Sequence, residues 1–171
     1  MSHWVFGFGS LMWNPGFDFV DRQPALLQGR HRVFSIKSNV SWGSADRPGL
    51  VVALHPGGSC QGYAFRVSAA NWPETDAYLR NRERAYRHAE VPVVLKNTRV
   101  QATTFLFDKN HPRAVGKLDF PTTAQMIAQG VGENGSSFEY LTKIILELQE
   151  SGRPPPRKLL KIKALVDNIK L

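Results

Sequence analysis

In the stretch Tyr78-Leu79-Arg80-Asn81-Arg82-Glu83-Arg84-Ala85-Tyr86-Arg87 a single carboxylate sits among four arginines. On a helix starting at Trp72, positions 72, 79 and 86 form one apolar stripe. Glu83 falls on that stripe, at the i+4 and i−3 offsets from Leu79 and Tyr86. Burying an unpaired carboxylate costs on the order of several kcal/mol, so this one must be neutralised, paired or useful. Two readings follow. Glu83 forms a structural ion pair with Arg80 or Arg87, or it is a general base whose pKa an apolar pocket raises.

A second candidate is Val5-Phe6-Gly7-Phe8-Gly9-Ser10-Leu11-Met12-Trp13. A dinucleotide fingerprint would need a third glycine where Met12 stands and a helix where Asn14-Pro15-Gly16 interrupts. No Gly-Lys-Ser/Thr follows, which excludes a phosphate loop. Either an ordinary turn sits here, or consecutive amides around Gly9-Ser10-Leu11 point together and hold a carboxylate or an oxyanion.

Gly58-Ser59-Cys60-Gln61-Gly62 resembles a nucleophile elbow with cysteine in place of serine. An elbow needs a helix after the nucleophile, and the apolar run Gly62 to Val67 reads as a strand, so a turn with a small packed thiol is expected. The histidines His3, His31, His55, His88 and His111 are scattered, and no CxxC or H-E-x-x-H is present, so no metal site is expected.

The elements that must position these groups are short. Strands are expected at Val5-Phe6, at Arg32 to Ser38 from its alternation, and at Gly49 to Leu54 from its continuous apolar run. Pro56-Gly57-Gly58-Ser59 predicts a hairpin turn leading back through Gly62 to Val67. Val91 to Leu95 and Val100 to Phe107 follow as a strand pair joined through Lys96-Asn97-Thr98. Helices are expected over Trp72 to His88, Pro121 to Gln129, Ser137 to Ser151 with Ser136 or Ser137 as cap, and Arg157 to Ile169 after the Pro154-Pro155-Pro156 elbow. Many short strands with the helices late argue for an α+β chain built on a curled sheet or small barrel.

The 171 residues suffice for one core without staples, and 42% hydrophobic against 21% charged residues is a globular profile. No leader segment or membrane-length apolar run is read, and the single cysteine agrees with a reducing compartment, so a soluble cytoplasmic protein is expected. The net charge is +8, and six bases against one acid place five of those charges after Ser151. Such a tail can grip nucleic acid or a membrane surface, but over so short a run a solvated helix face is expected, with neither as partner. The oligomeric state is left open.

The blocks quoted above resemble a family. Phe6-Gly7-Phe8-Gly9-Ser10-Leu11-Met12-Trp13 is similar to the F-G-Y-G-S-L-[IM]-W opening of the ChaC-like γ-glutamylcyclotransferases. The likeness continues through Arg47 to Leu54, Pro56 to Gly62, Tyr78 to Glu83, and late in the chain Gly132 and Glu139-Tyr140-Leu141. This resemblance implies a small mixed β-barrel with flanking helices. Residues 1–152 would form a single catalytic domain, and 153–171 an elbow and basic helix packed on it or extending from it. It also implies a lyase-type reaction without cofactor in which glutathione is degraded to 5-oxoproline and cysteinylglycine. By position it makes Glu83 the catalytic acid/base and Gly7, Phe8, Gly9, Ser10, Leu11 and Met12 the substrate loop. Tyr140 would supply a positioning hydrogen bond, and Arg47 a carboxylate contact or a structural role.

Three departures stand out. Phe8 replaces the loop tyrosine, and Ser41-Trp42 stands where the family pattern carries His-Arg. The acidic residue after the last long helix is replaced within Pro154-Pro155-Pro156-Arg157. They bear on substrate identity more than on reaction class: another γ-glutamyl amine or peptide, or an anion-binding protein without catalysis, are the alternatives.

Overall fold

The structure, a computed structural model, describes residues 2–170, without the side chain of Lys170, the last of the tail bases. The chain divides into two compact units, one made of residues 1–32 and 54–108, the other of 33–53 and 109–171.

Among the described residues, five strands close a barrel in the order β1 (His3–Gly7), β3 (Gly49–Val67), β2 (Asp21–Ser38), β4 (Tyr86–Val94) and β5 (Arg99–Phe107). Val5 and Phe6 are fully buried on β1, which runs antiparallel to β3 with Val5 opposite Phe65 and Phe6 opposite Ala64. The other edge of β1 meets β5 in parallel, Trp4 opposite Ala102 and Val5 opposite Thr103. That one parallel pairing closes the sheet and makes it mixed, in agreement with the expected barrel.

The expected hairpin at Pro56-Gly57-Gly58-Ser59 does not form; β3 runs unbroken through it. Gly57 and Gly58 take φ of +95° and +67°, and Gly29 on β2 takes +90°. Glycine adopts these angles freely, so here it bends the strand as a bulge does and does not reverse it. The next glycine of the segment, Gly62, is there for space: a Cβ on it would lie 2.3 Å from the Gly7 carbonyl oxygen and 2.9 Å from the Phe6 ring. We expect Gly62→Ala to cost about 1–3 kcal/mol, read as a lower urea midpoint, because backbone cannot yield as a side-chain tip can.

The first helix also ends early. α1 covers Trp72–Arg82, and β4 already starts at Tyr86. Residues that read as the last helical turn instead pair with β5, Tyr86 opposite Phe107 and His88 opposite Phe105. Cross-strand ring contacts at 5.2 and 4.8 Å outweigh a weak helical preference there. Leu79 of α1 is buried with Val5, Leu11, Val67 and Phe105.

In the second unit α3 (Ser137–Glu150) starts at its expected serine cap, and α2 (Phe120–Gln129) starts one residue before the expected Pro121, capped by Asp119. Asp119 accepts from the Thr122 N–H at 2.7 Å, and Ser136 from the Glu139 N–H at 3.0 Å. Between these helices Val131–Gly132 and Gly135–Ser136 pair as a small β6–β7 ribbon that hydrophobic patterning does not announce. α4 (Arg157–Lys170) packs on α2 and α3, burying Leu159, Ile162 and Val166. Two of its lysines find partners within the unit: Lys161 lies 4.7 Å over the Phe120 ring, and Lys163 pairs with Asp167 at 2.9 Å. No helix of the described residues is long and apolar enough to cross a membrane.

Candidate active site

β1 ends at Gly7, and the chain turns at Gly9 into a single 3-10 turn, Ser10–Met12. Its first hydrogen bond runs from the Met12 N–H to the Gly9 carbonyl at 3.0 Å, followed by Asn14 N–H to Ser10 at 2.9 Å. The N–H groups of Ser10 and Leu11 lie upstream of that first donor, where a helical turn offers no internal acceptor. Leu11 and Met12 are buried and anchor the turn. It folds back on its own strand so tightly that a Cβ on Gly7 would stand 2.9 Å from that of Leu11. Phe8 packs its buried ring on Phe6, and its carbonyl accepts from Arg32 Nε at 2.9 Å.

Glu83 occupies the C-cap of α1, with φ −106° and ψ 33°. Its N–H bonds to the Leu79 carbonyl at 2.8 Å, and its own carbonyl accepts from Tyr86 at 3.0 Å, which fixes the helix-to-strand corner. The corner, and not a helical stripe, turns the carboxylate inward, leaving the side chain 15% exposed. Burial raises its pKa above the ordinary carboxylate value, and the neighbouring Arg82 cation pulls it partly back. Of the two readings, the ion pair forms with neither Arg80 nor Arg87 among the described contacts: Arg80 bonds Asp76 at 3.0 Å, and Glu83 faces Arg82 Nε at 3.5 Å.

Arg82 is the residue of this candidate site that sequence reasoning missed. Its guanidinium donates to the Asn14 and Pro15 carbonyls at 2.6 and 3.0 Å, to the Tyr78 hydroxyl at 2.9 Å and to Ser10 Oγ at 3.2 Å. One side chain thus ties the turn after β1 to the end of α1 while its charge lies against Glu83. Arginine alone offers donors enough for such a knot. The available signal was the Tyr78/Arg82 spacing of four beside the acid; it was hidden among three other arginines.

Tyr140 and Arg47 belong to the second unit. Tyr140 is buried, its hydroxyl accepts from the Val52 N–H at 3.3 Å, and its ring meets Trp42 edge-on at 5.2 Å. Arg47 is exposed in a bend that its main chain closes onto Ser44. Cys60 lies within β3, buried, with its thiol pKa raised by burial against a smaller opposite pull from Arg32. A protonated thiol inside a strand makes a poor nucleophile, so Cys60→Ser is expected to leave turnover within about twofold of wild type. Among the described residues no three of His, Cys, Asp and Glu are grouped to hold a metal ion.

Chemically, the first unit offers a largely buried carboxylate whose pKa burial raises, tied through Arg82 to a turn whose first amides have no acceptor within it. An Escherichia coli protein named glutathione-specific γ-glutamylcyclotransferase is 32% identical over 153 residues, covering 87% of this chain and 66% of that protein. A Danio rerio protein, glutathione-specific γ-glutamylcyclotransferase 1, is 30% identical over 151 residues, covering 84% and 77%. The chain therefore spans about two thirds to three quarters of these relatives. The crystal structure of a yeast γ-glutamyl cyclotransferase specific to glutathione superposes over 100% of both chains, with a TM-score of 0.90 at 22% identity, which establishes the shared fold. The ChaC-like protein family matches residues 3–170, and the chain belongs to that family.

Proposed function

We propose that this protein is a γ-glutamylcyclotransferase that cleaves glutathione to 5-oxoproline and cysteinylglycine. The observation that carries the reading is Glu83: a carboxylate left only 15% exposed, with a raised pKa, joined through Arg82 to the turn after β1. In the proposed step Glu83 takes a proton from the substrate's α-ammonium group. The freed amine attacks the γ-carbonyl carbon, forming the ring C–N bond, and the peptide C–N bond then breaks. Glu83 delivers that proton to the departing nitrogen, and the second proton, shed by the ring nitrogen as the lactam forms, follows it. Cysteinylglycine therefore leaves as its ammonium form, and neither water nor cofactor is consumed. Holding the amine against its own carbonyl supplies much of the acceleration. The N–H groups of Ser10 and Leu11 are assigned to the oxyanion, with Gly7, Phe8, Gly9 and Met12 shaping the turn. The roles of Tyr140, a positioning hydrogen bond, and Arg47, a carboxylate contact, rest on the family resemblance. A cytoplasmic location fits a glutathione substrate and the single cysteine.

Ser41-Trp42, in place of a charged pair, favours a second donor within the same reaction class, another γ-glutamyl amine or peptide. One assay decides: purified protein is incubated with glutathione and a panel of γ-glutamyl amines, and 5-oxoproline is measured. Release from glutathione above all others supports the proposal. Release from another donor alone moves the substrate, and no release from any donor leaves a binding protein.

A further inference from the structure

On the side of α1 carrying Arg80, a hollow of about 410 Å³ is lined by Arg80, Arg84, Tyr86, Arg87 and His88. Three guanidinium groups and an imidazole line it, and no carboxylate does. Neither Glu83 nor any residue of the Gly7–Met12 turn takes part. An adjoining hollow of about 450 Å³ shares Arg80 and His88 and holds the nearby acids, Asp76 and Glu90. Both acids are engaged: Asp76 accepts from Arg80 Nε, and Glu90 from the Thr103 hydroxyl. Arg84 and Arg87 are exposed and project three residues apart from the turn and the start of β4.

Mutually repelling cations ordinarily spread into solvent, and His88 shows why this group is more than a solvated face. Its ring packs edge-on to Phe105 at 4.8 Å and hydrogen-bonds to the backbone of Glu83. Burial lowers its pKa; the Glu83 bond and Asp76 oppose this, and Arg80 adds to it. The charged and titratable groups around it are Asp76 and Arg80 of α1, Arg84 of the turn, Arg87 and Glu90 of β4, and His3 of β1. A fixed imidazole at the back and guanidinium forks around the rim form a concave set of donors. A planar carboxylate satisfies one fork. A tetrahedral dianion with three free oxygens can be shared among several.

We propose that the hollow lined by Arg80, Arg84, Arg87 and His88 is a binding site for a phosphate dianion, free or as the terminal group of a phosphate monoester, separate from the Glu83 site. The test is calorimetric titration of the full chain with inorganic phosphate and, in a parallel arm, glycerol 3-phosphate, at constant ionic strength set with chloride. Saturable binding is expected, with the better ligand of the two arms identifying the source. Arg84→Gln/Arg87→Gln should weaken it by at least about tenfold with an unchanged melting curve, whereas Arg153→Gln/Arg157→Gln should not. In the same samples, NMR titration of the His88 imidazole should give a higher pKa with ligand bound than in chloride. Equal binding by the Arg84/Arg87 variant, equal loss in the Arg153/Arg157 variant, or an unmoved His88 pKa would overturn the proposal. So would displacement of phosphate by glutathione, which would make the hollow part of the substrate site.

Discussion

Glu83→Gln lowers kcat/KM for 5-oxoproline release by roughly 10²–10⁴, the usual contribution of a positioned acid or base, while the protein stays folded. Glutamine keeps the shape and the hydrogen-bonding edge of the side chain but cannot carry the proton between the two amines. The wild-type pH profile should report the same group. The base works ionised, so kcat/KM rises with pH through a pKa that burial has moved above the ordinary carboxylate range. Stability runs the opposite way. Glu83 binds its proton more tightly folded than unfolded, so stability falls as pH rises from the unfolded to the folded pKa and stays lower above it. At neutral pH the Gln variant is therefore expected to melt above wild type. A variant that keeps full turnover, or melts at lower temperature with it, contradicts the assignment of a buried ionising base.

Arg82→Leu is the second large effect, and it separates positioning from charge. Removing the guanidinium leaves the Asn14 and Pro15 carbonyls, the Tyr78 hydroxyl and Ser10 Oγ without their donor. Losses on the order of 1–3 kcal/mol in unfolding free energy are expected by urea titration. A turn displaced by an ångström should lower kcat/KM about 10²-fold. The variant also removes the cation that holds down the Glu83 pKa, so the acid limb of the pH profile moves to higher pH. Arg82→Lys restores the charge without the fork: its acid limb should stay near wild type while the kcat/KM loss persists. An acid limb that shifts in both variants alike would mean that the charge of Arg82 matters less to Glu83 than its geometry.

The helices of the second unit were legible because their ends carry local chemistry. Ser136 before Glu139 specifies a start whatever packs against the helix, whereas for α2 the sequence offered Pro121 and the structure adds the Asp119 cap. Strands were legible where alternation or a buried run stood alone, and illegible where glycine had two uses. Pro56-Gly57-Gly58-Ser59 reads as a reversal, yet positive φ at Gly57 and Gly58 serves equally to bend a strand that long-range pairing holds straight on either side. The stretch after Glu83 failed for a related reason: Tyr86 and His88 gain their partners from β5, and that pairing is written nowhere near them in the chain. Glu83 was recognisable as an acid on an apolar path, but its partner was not. Arg80, Arg82 and Arg87 are alike in type, and only the turn after β1 selects Arg82.

The closure of the barrel has a consequence for how the chain is made. β1 leaves the ribosome before the other strands of the barrel, and one of its two neighbours, β5, is nearly a hundred residues away, Trp4 waiting for Ala102. Its other partner, the end of β3, arrives around Tyr63 to Val67. Until residues 99–107 have left the exit tunnel, the nascent sheet has an open seam along a strand whose Val5 and Phe6 are built for complete burial. Joining ends so far apart is entropically slow, so barrel closure belongs late in folding. A chain stalled before Phe107 would present that seam to whatever strand it meets, and the cell must cover it in the interval.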